Sequence, residues 1–287
     1  MDIAALQKKI KLLEIKSKML TNHLFSGEYH SAFKGRGMLF KEVKEYAVGD
    51  DIRFIDWNVS ARLGNTYTKV FEEERELCVY LLVDASASML VGSQNLNKRE
   101  LMIELCAVLA FSAQSNNDKT GLLLCTSTVE KYIPANKGKN HVLYLLRELV
   151  SFQPQNKNTD LVKALQLLHK TARQKSIVFI VSDFADAGYE NALRVLAKHH
   201  DVIGIQLYDP IDTQLPNLGL VQLQDAETGN TLWVDMGNEA IRKHYTQQYN
   251  RMTADAQAAF RLAGAQLLPI ATTQDYVQLL QSFFLKR

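Results

Sequence analysis

The feature that most constrains this chain is an apolar segment that ends abruptly in an acid, Cys78-Val79-Tyr80-Leu81-Leu82-Val83-Asp84. The residues before the acid are uncharged and rich in β-branched and aromatic types, which is typical of a strand buried on both faces at the centre of a parallel sheet. Two hydroxyl residues, Ser86 and Ser88, follow at alternate positions. Ligands of open parallel sheets bind beyond the carboxyl ends of the strands. The segment therefore predicts a fold and a site together.

From Leu77 onward, strand-like and helix-like segments alternate, which indicates βαβ units. Asn97 is expected to cap a long helix, and Asn158 or Thr159 to cap another. A second apolar strand ends at an acid, Asp183. With about six core strands, we predict an α/β fold with a doubly wound, mostly parallel sheet flanked by helices, in the Rossmann-like class. Strands are predicted at 121–126, 129–133, 177–181, 202–207 and 266–270, with a further hairpin formed by 218–223 and 231–234.

The N-terminal quarter of the chain has a different character. Residues 2–24 predict an amphipathic helix with a lysine-rich face, and packing on its own domain is favoured over membrane binding because no tryptophan or phenylalanine anchors its apolar face. Turn signals separate short apolar stretches in 25–76. We predict two domains: 1–76, an N-terminal amphipathic helix and small β-rich extension, and 77–287, the α/β domain.

Composition excludes several classes of protein. A net charge of +2 gives no electrostatic reason to expect a nucleic-acid partner. The three cysteines, Cys78, Cys106 and Cys125, lie singly in apolar segments, as expected in a reducing compartment. No run approaches the roughly 20 apolar residues of a transmembrane helix, and no apolar stretch follows the N-terminal lysines. We therefore predict a cytoplasmic protein with no transmembrane segment.

Five oxygen-bearing side chains are expected to converge at one edge of the sheet. Hard oxygen donors with no nitrogen or sulfur suit Mg²⁺, Mn²⁺ or Ca²⁺ and not zinc or copper. Two carboxylates balance a divalent charge, and five donors leave one octahedral position open for an acid from a partner. The two serines point the same way if the turn after the strand is extended. A lone acid at a strand end is often only a helix cap or the partner of a lysine, but the full set favours a cation site. The set is Asp84, Ser86, Ser88, Thr159 and Asp183.

These residues carry a family resemblance. The pattern Asp84-x-Ser86-x-Ser88, followed by Thr159 and Ser182-Asp183, resembles the metal-ion-dependent adhesion site of von Willebrand factor type A domains, over 77 to about 285. Upstream, the run EYAVGDDIRFIDW over 45–57, then Ser60-Ala61-Arg62, resembles the signature of the bacterial "domain of unknown function 58" family. The chain departs from many adhesion sites at Asn158 and Phe184, where glycine is common, and this bears on the geometry of the loops.

The resemblance implies a binding module without catalysis. Asp84, Ser86, Ser88, Thr159 and Asp183 would hold a divalent cation, with Mg²⁺ as the first choice and Mn²⁺ or Ca²⁺ as alternatives, some directly and some through water. A glutamate or aspartate of a protein partner would complete the coordination shell. Members of the family commonly occur beside AAA+ ATPases of the MoxR type and are suspected to act as their adaptors, so the implied partner is such an ATPase.

The rival class is a metal-dependent hydrolase or phosphatase that uses the same acidic site. An aspartyl phosphotransferase needs a second acid two residues after the first, and Ser86 occupies that position. Gly-x-Ser-x-Gly and His-Glu-x-x-His motifs are absent, and no histidine lies close in sequence to the five donors. We predict that the protein is not an enzyme. For Arg53, Asp56 and Arg62, internal ion pairs are favoured over a partner-binding role, which stays open.

Overall fold

The computed structural model describes residues 11–12, 14, 38–73, 77–90, 92, 97–224 and 229–286, without the side chains of 38–41 and 71–73. Contacts divide the chain into two units, one of Met1–Ser26 with Cys78–Arg287 and one of Gly27–Leu77. The amphipathic helix predicted over 2–24 lies almost entirely outside the described residues. The predicted division into 1–76 and 77–287 therefore stays a prediction.

The smaller unit is built on an antiparallel pair, β1 (Met38–Glu45) and β2 (Tyr67–Glu73). A 3-10 turn, Ile52–Phe54, and a short helix, α1 (Trp57–Leu63), connect the strands. The sequence predicts strands and turns here but does not predict α1. This helix has seven residues and none of them is buried, so its sequence lacks the helical spacing of apolar residues on which such a prediction depends.

Charged residues of the smaller unit have structural roles. Asp56 caps α1 by accepting hydrogen bonds from the backbone amides of Asn58 and Val59, and it lies 3.4 Å from Lys69 Nζ. Arg53 pairs with Asp51 at 2.6 Å on the surface. The sequence analysis favoured internal ion pairs for Arg53, Asp56 and Arg62. Such pairs are present for Arg53 and Asp56.

The strands of the larger unit are β3 (Cys78–Asp84), β4 (Lys119–Cys125), β5 (Val129–Asn136), β6 (Ile177–Ser182), β7 (Asp201–Tyr208), β8 (Leu220–Gln224), β9 (Thr231–Asp235) and β10 (Gln266–Ala271). Six of them form a sheet in the order β10-β7-β6-β3-β4-β5. All neighbouring strands are parallel except the pair at one edge, where β5 runs antiparallel to β4. A separate antiparallel hairpin is formed by β8 and β9.

Helices connect the parallel strands and cover the sheet. They are α2 (Lys98–Ser115), α3 (Lys139–Ser151), α4 (Leu161–Thr171), α5 (Glu190–His199), α6 (Pro210–Thr213), α7 (Glu239–Ala263) and α8 (Tyr276–Leu285). The long helix α2 begins with a capping box between Asn97 and Glu100, as the predicted cap requires. The cap of α4 is Asp160 and not Asn158 or Thr159, because the Asp160 carboxylate accepts a hydrogen bond from the backbone amide of Lys163.

Every residue of β3 and β6 is buried, so these two strands form the centre of the core. Helices contact the sheet along its length, and Gly204 of β7 leaves space for the Phe260 ring, which an added Cβ would approach to 2.5 Å. The predicted class, an α/β fold with a mostly parallel sheet flanked by helices, is confirmed. In the part of the chain that the structure describes, no helix is both long and apolar enough to cross a membrane.

Candidate functional site

The candidate site lies at the carboxyl ends of the two central strands. Asp84 is the last residue of β3 and is fully buried. Ser182 is the last residue of β6, and its hydroxyl donates a hydrogen bond to Asp84 Oδ2 at 2.8 Å. The same hydroxyl oxygen accepts a hydrogen bond from the amide of Phe184 at 3.0 Å. Ser182 therefore fixes the orientation of the Asp84 carboxylate, a role that the sequence analysis did not assign to it.

The two predicted serines meet in a tight turn after β3. The amide of Ser86 donates a hydrogen bond to Asp84 Oδ1 at 2.9 Å, and the hydroxyl oxygens of Ser86 and Ser88 lie 3.0 Å apart. The turn is a 3-10 helix over Ala87–Leu90, not the extended backbone that the sequence analysis assumed. The hydroxyls nevertheless converge, because the turn brings the second serine back over the first.

Thr159 reaches the site from the loop before α4. Its hydroxyl lies 3.5 Å from both carboxylate oxygens of Asp84. Glu130 of β5 holds this loop, since its carboxylate accepts hydrogen bonds from the amides of Gln155 at 2.8 Å and Asn156 at 3.1 Å. Because Asp160 supplies the helix cap, the hydroxyl of Thr159 can face Asp84. Glu130 is a supporting residue that sequence reasoning missed, as its contact partners are about 25 positions away.

Asp183 follows β6 directly and is almost completely buried. Its Oδ1 accepts a hydrogen bond from the amide of Ala185 at 3.2 Å, and its Oδ2 lies 3.4 Å from the ammonium of Lys98. The same ammonium lies 3.1 Å from Asp212 Oδ2. Lys98 is itself buried, at 3% exposure. The sequence analysis missed this lysine, because a lysine in the first turn of a helix is usually a solvated surface residue.

Burial and charge shift the pKa values of two groups in this cluster. Burial raises the pKa of Asp84 to about 6, the negative charge of Asp183 adds to the effect, and hydrogen bonds from Ser86 and Ser182 oppose it. For Lys98, burial lowers the pKa, but attraction to Asp183 and Asp212 outweighs it, so the pKa lies above its usual value. Lys98 is therefore expected to be protonated at neutral pH.

The two departures from the adhesion-site pattern do not prevent this arrangement. Phe184 has a φ of 55°, the left-handed conformation in which glycine is favoured. Its buried ring packs edge-on against Phe260 at a centroid distance of 5.1 Å and lies 5.9 Å from Tyr189. Asn158 has no positive φ and needs no glycine. Packing of the Phe184 ring thus supports a backbone conformation that bulky residues rarely adopt.

Direct contacts join four of the five predicted residues, and Asp183 acts on Asp84 through its charge. All the donors are oxygens, and two carboxylates beside neutral hydroxyls fit a hard divalent cation such as Mg²⁺. In the described part of the chain, no basic side chain forms an ion pair with Asp84, and the causes that raise its pKa are burial and the charge of Asp183. Within the described ranges, no group of three or more His, Cys, Asp or Glu side chains is placed to hold a metal ion. A cation here would depend on the hydroxyls as well as the two acids.

An open, mostly parallel sheet with these oxygen side chains at its carboxyl edge defines an α/β protein with a candidate site at the ends of its central strands. The profile of the family described as "Protein of unknown function DUF58" matches residues 42–255, and the chain belongs to that family. The resemblance to this family that the sequence analysis found over 45–62 is thereby confirmed.

The chain is also similar to individual proteins. The chain is 29% identical over 279 residues to the uncharacterized protein Rv1480 of Mycobacterium tuberculosis. The aligned residues make up 96% of this chain and 88% of that protein. Among solved structures, it is similar to the conserved hypothetical protein BatB of Bacteroides thetaiotaomicron, with a TM-score of 0.49, 16% identity, and coverage of 74% of this chain and 100% of the other. It is also similar to a von Willebrand factor type A protein of Catenulispora acidiphila, with a TM-score of 0.41, 11% identity, and coverage of 77% and 43%.

Proposed function

We propose that this protein is a cytoplasmic, non-enzymatic protein-binding module that uses a divalent cation, in the first place Mg²⁺, to capture an acidic residue of its partner. We further propose that the partner is an AAA+ ATPase of the MoxR type, for which the protein serves as an adaptor. The observation that carries the proposal is the Asp84 carboxylate, which is fully buried, surrounded by hydroxyls, and has no described basic partner.

Burying a carboxylate without a countercharge is costly, and a bound cation would remove that cost. Asp84 and Asp183 would supply the negative charge, while Ser86, Ser88 and Thr159 would supply neutral oxygens, some of them through water. Ser182 would orient Asp84. When bound, the cation supplies a Lewis-acidic position that a carboxylate of the partner can occupy.

The proposal includes no catalysis. A hydrolase at this site needs a general base, and no described histidine hydrogen-bonds to any of the five residues. A metal-dependent hydrolase or phosphatase is the alternative function. Turnover of a panel of phosphoesters that disappears in Asp84→Ala would favour that alternative over the binding module.

Binding of a purified MoxR-type ATPase from the same organism tests the proposal. The immobilised protein should retain the ATPase in Mg²⁺ and lose it in EDTA, and Asp84→Ala should lose it in both. Glu239→Ala is the matched control, because Glu239 is an exposed acid that pairs with Lys243 one helical turn away. Retention that is equal for the wild type, Asp84→Ala and the EDTA-treated protein would show that recognition lies elsewhere.

A further inference from the structure

A buried lysine lies between the candidate cation site and a third carboxylate. Lys98 Nζ is 3.4 Å from Asp183 Oδ2 and 3.1 Å from Asp212 Oδ2, and the lysine is 3% exposed. We propose that Lys98 is a resident cation that competes with the divalent ion for Asp183, and that Asp212 retains the ammonium when the ion is bound. This inference rests on the proposed metal site, whose occupancy it would regulate.

The position of Lys98 is fixed by the start of α2. The Asn97–Glu100 capping box places it as the first residue of the helix. A lysine there meets the positive end of the helix dipole, which is unfavourable for a cation. Two carboxylates at ion-pair distance compensate for this. Since the side chain is buried, the ammonium cannot leave for solvent without disturbing the fold, and it remains close to Asp183.

Asp212 is suited to receive the ammonium. It lies in α6, and its Oδ2 also accepts a hydrogen bond from the amide of Asp209 at 2.9 Å, so its carboxylate is held in place. Its side chain is 21% exposed, against 11% for Asp183. When a divalent ion binds Asp183, the Lys98 ammonium can stay with Asp212 at lower cost, because water compensates part of the charge of this more exposed carboxylate.

Competition and simple support predict opposite effects of removing the ammonium. If Lys98 competes with the ion, its loss removes a positive charge beside Asp183, and a divalent ion binds more tightly. If Lys98 only holds Asp183 in a geometry that the ion needs, its loss weakens binding. The two hypotheses therefore predict changes of opposite sign in the affinity for the divalent ion, and one titration distinguishes them.

The test is calorimetric titration of Mg²⁺ and Mn²⁺ into the metal-free full-length protein. Lys98→Met, which keeps most of the side-chain volume, should bind about tenfold or more tightly than the wild type. Asp212→Asn should bind several-fold more weakly, and this loss should shrink in the double variant Lys98→Met/Asp212→Asn. Lys131→Met is the control, because Lys131 forms a part-exposed ion pair with Glu148 at 2.6 Å. Its affinity should equal that of the wild type.

Unchanged or weaker binding by Lys98→Met overturns the inference. If that variant does not fold, Asp212→Asn decides, and an unchanged affinity there overturns it. Equal binding by the wild type and Asp84→Ala would instead contradict the proposed metal site. Binding by Lys98→Met in the absence of binding by the wild type supports competition and contradicts metal dependence of the natural protein. Absence of binding by all variants overturns both.

Thermal unfolding, measured first in EDTA and then in Mg²⁺, gives a second readout. Lys98→Met leaves Asp183 without the ammonium and should unfold at a lower temperature than the wild type. Mg²⁺ should raise the unfolding temperature of the variant by more than it raises that of the wild type. An equal increase in the two proteins would contradict competition.

Discussion

At the scale of single residues, Asp84 makes the metal-free protein sensitive to pH. Its pKa of about 6 in the folded state lies above the value of about 3.9 in an unfolded chain, so the folded state binds more protons between these values. Stability of the metal-free protein due to this group is therefore present at low pH and is lost as pH rises through about 6.

Asp84→Asn removes this dependence. In EDTA, the free energy of unfolding of the variant should rise relative to the wild type by about 1 kcal/mol between pH 5 and pH 7. Urea denaturation at each pH measures the difference. Glu239→Gln, at an exposed position, serves as the control and should differ from the wild type by the same amount at every pH. A pH-independent difference for Asp84→Asn would contradict the burial argument.

Phe184 shows how one side chain can support a strained backbone. Its φ of 55° favours glycine, but its ring is buried against Phe260. Phe184→Gly relieves the backbone and deletes a core ring, and the loss of the ring should dominate, with destabilisation of roughly 2–4 kcal/mol in urea denaturation. Asn117→Gly, at an exposed residue with a φ of 62°, is the matched comparison and should be neutral or stabilising. Equal stabilities of the two variants would refute this explanation.

At the scale of elements, the loop before α4 depends on a residue of the edge strand β5. The Glu130 carboxylate accepts hydrogen bonds from the backbone amides of Gln155 and Asn156. These bonds fix the loop that contains Thr159. Glu130→Gln turns one acceptor into a donor that faces those amides. Affinity for Mg²⁺, measured by calorimetry, should fall about tenfold while the thermal unfolding temperature changes little. Glu148→Gln, on α3, should bind as the wild type does, and a wild-type affinity for Glu130→Gln would argue against its role.

Periodicity predicted the elements well because most are long and strongly patterned. The apolar runs of β3 and β6, the capping box at Asn97 and the hairpin of β8 and β9 were all readable from neighbouring residues. The helix α1 and the cap of α4 could not be predicted from neighbouring residues. The helix α1 buries no residue, and three adjacent residues at the start of α4 can all act as its cap.

The site divides in the same way. Asp84, Ser86, Ser88, Thr159 and Asp183 follow from strand ends and motif spacing, and the structure brings them to one edge of the sheet. Ser182, Glu130 and Lys98 act through contacts with residues that are distant in sequence, which no local pattern records. A motif thus predicts the donors, whereas their orientation and charge environment require the tertiary fold.

At the scale of the whole molecule, stability should be distributed unevenly. The fully buried strands β3 and β6 lie at the centre of a six-stranded sheet, whereas β8 and β9 form an isolated two-stranded hairpin with many exposed residues. In native-state hydrogen exchange, amides of β3 and β6 should exchange only through global unfolding, and those of the hairpin through local opening. Equal protection of the two groups would contradict this distribution.

The central claim is that the Asp84 edge of the sheet holds a divalent cation. Crystals of the full chain grown with Mn²⁺ test it most directly, because the ion can be located by its anomalous scattering. We expect one peak at about 2.1 Å from oxygens of the predicted donors, and no peak there in crystals of Asp84→Ala. An absent peak in the wild type, or a peak bound only by other residues, would contradict the account.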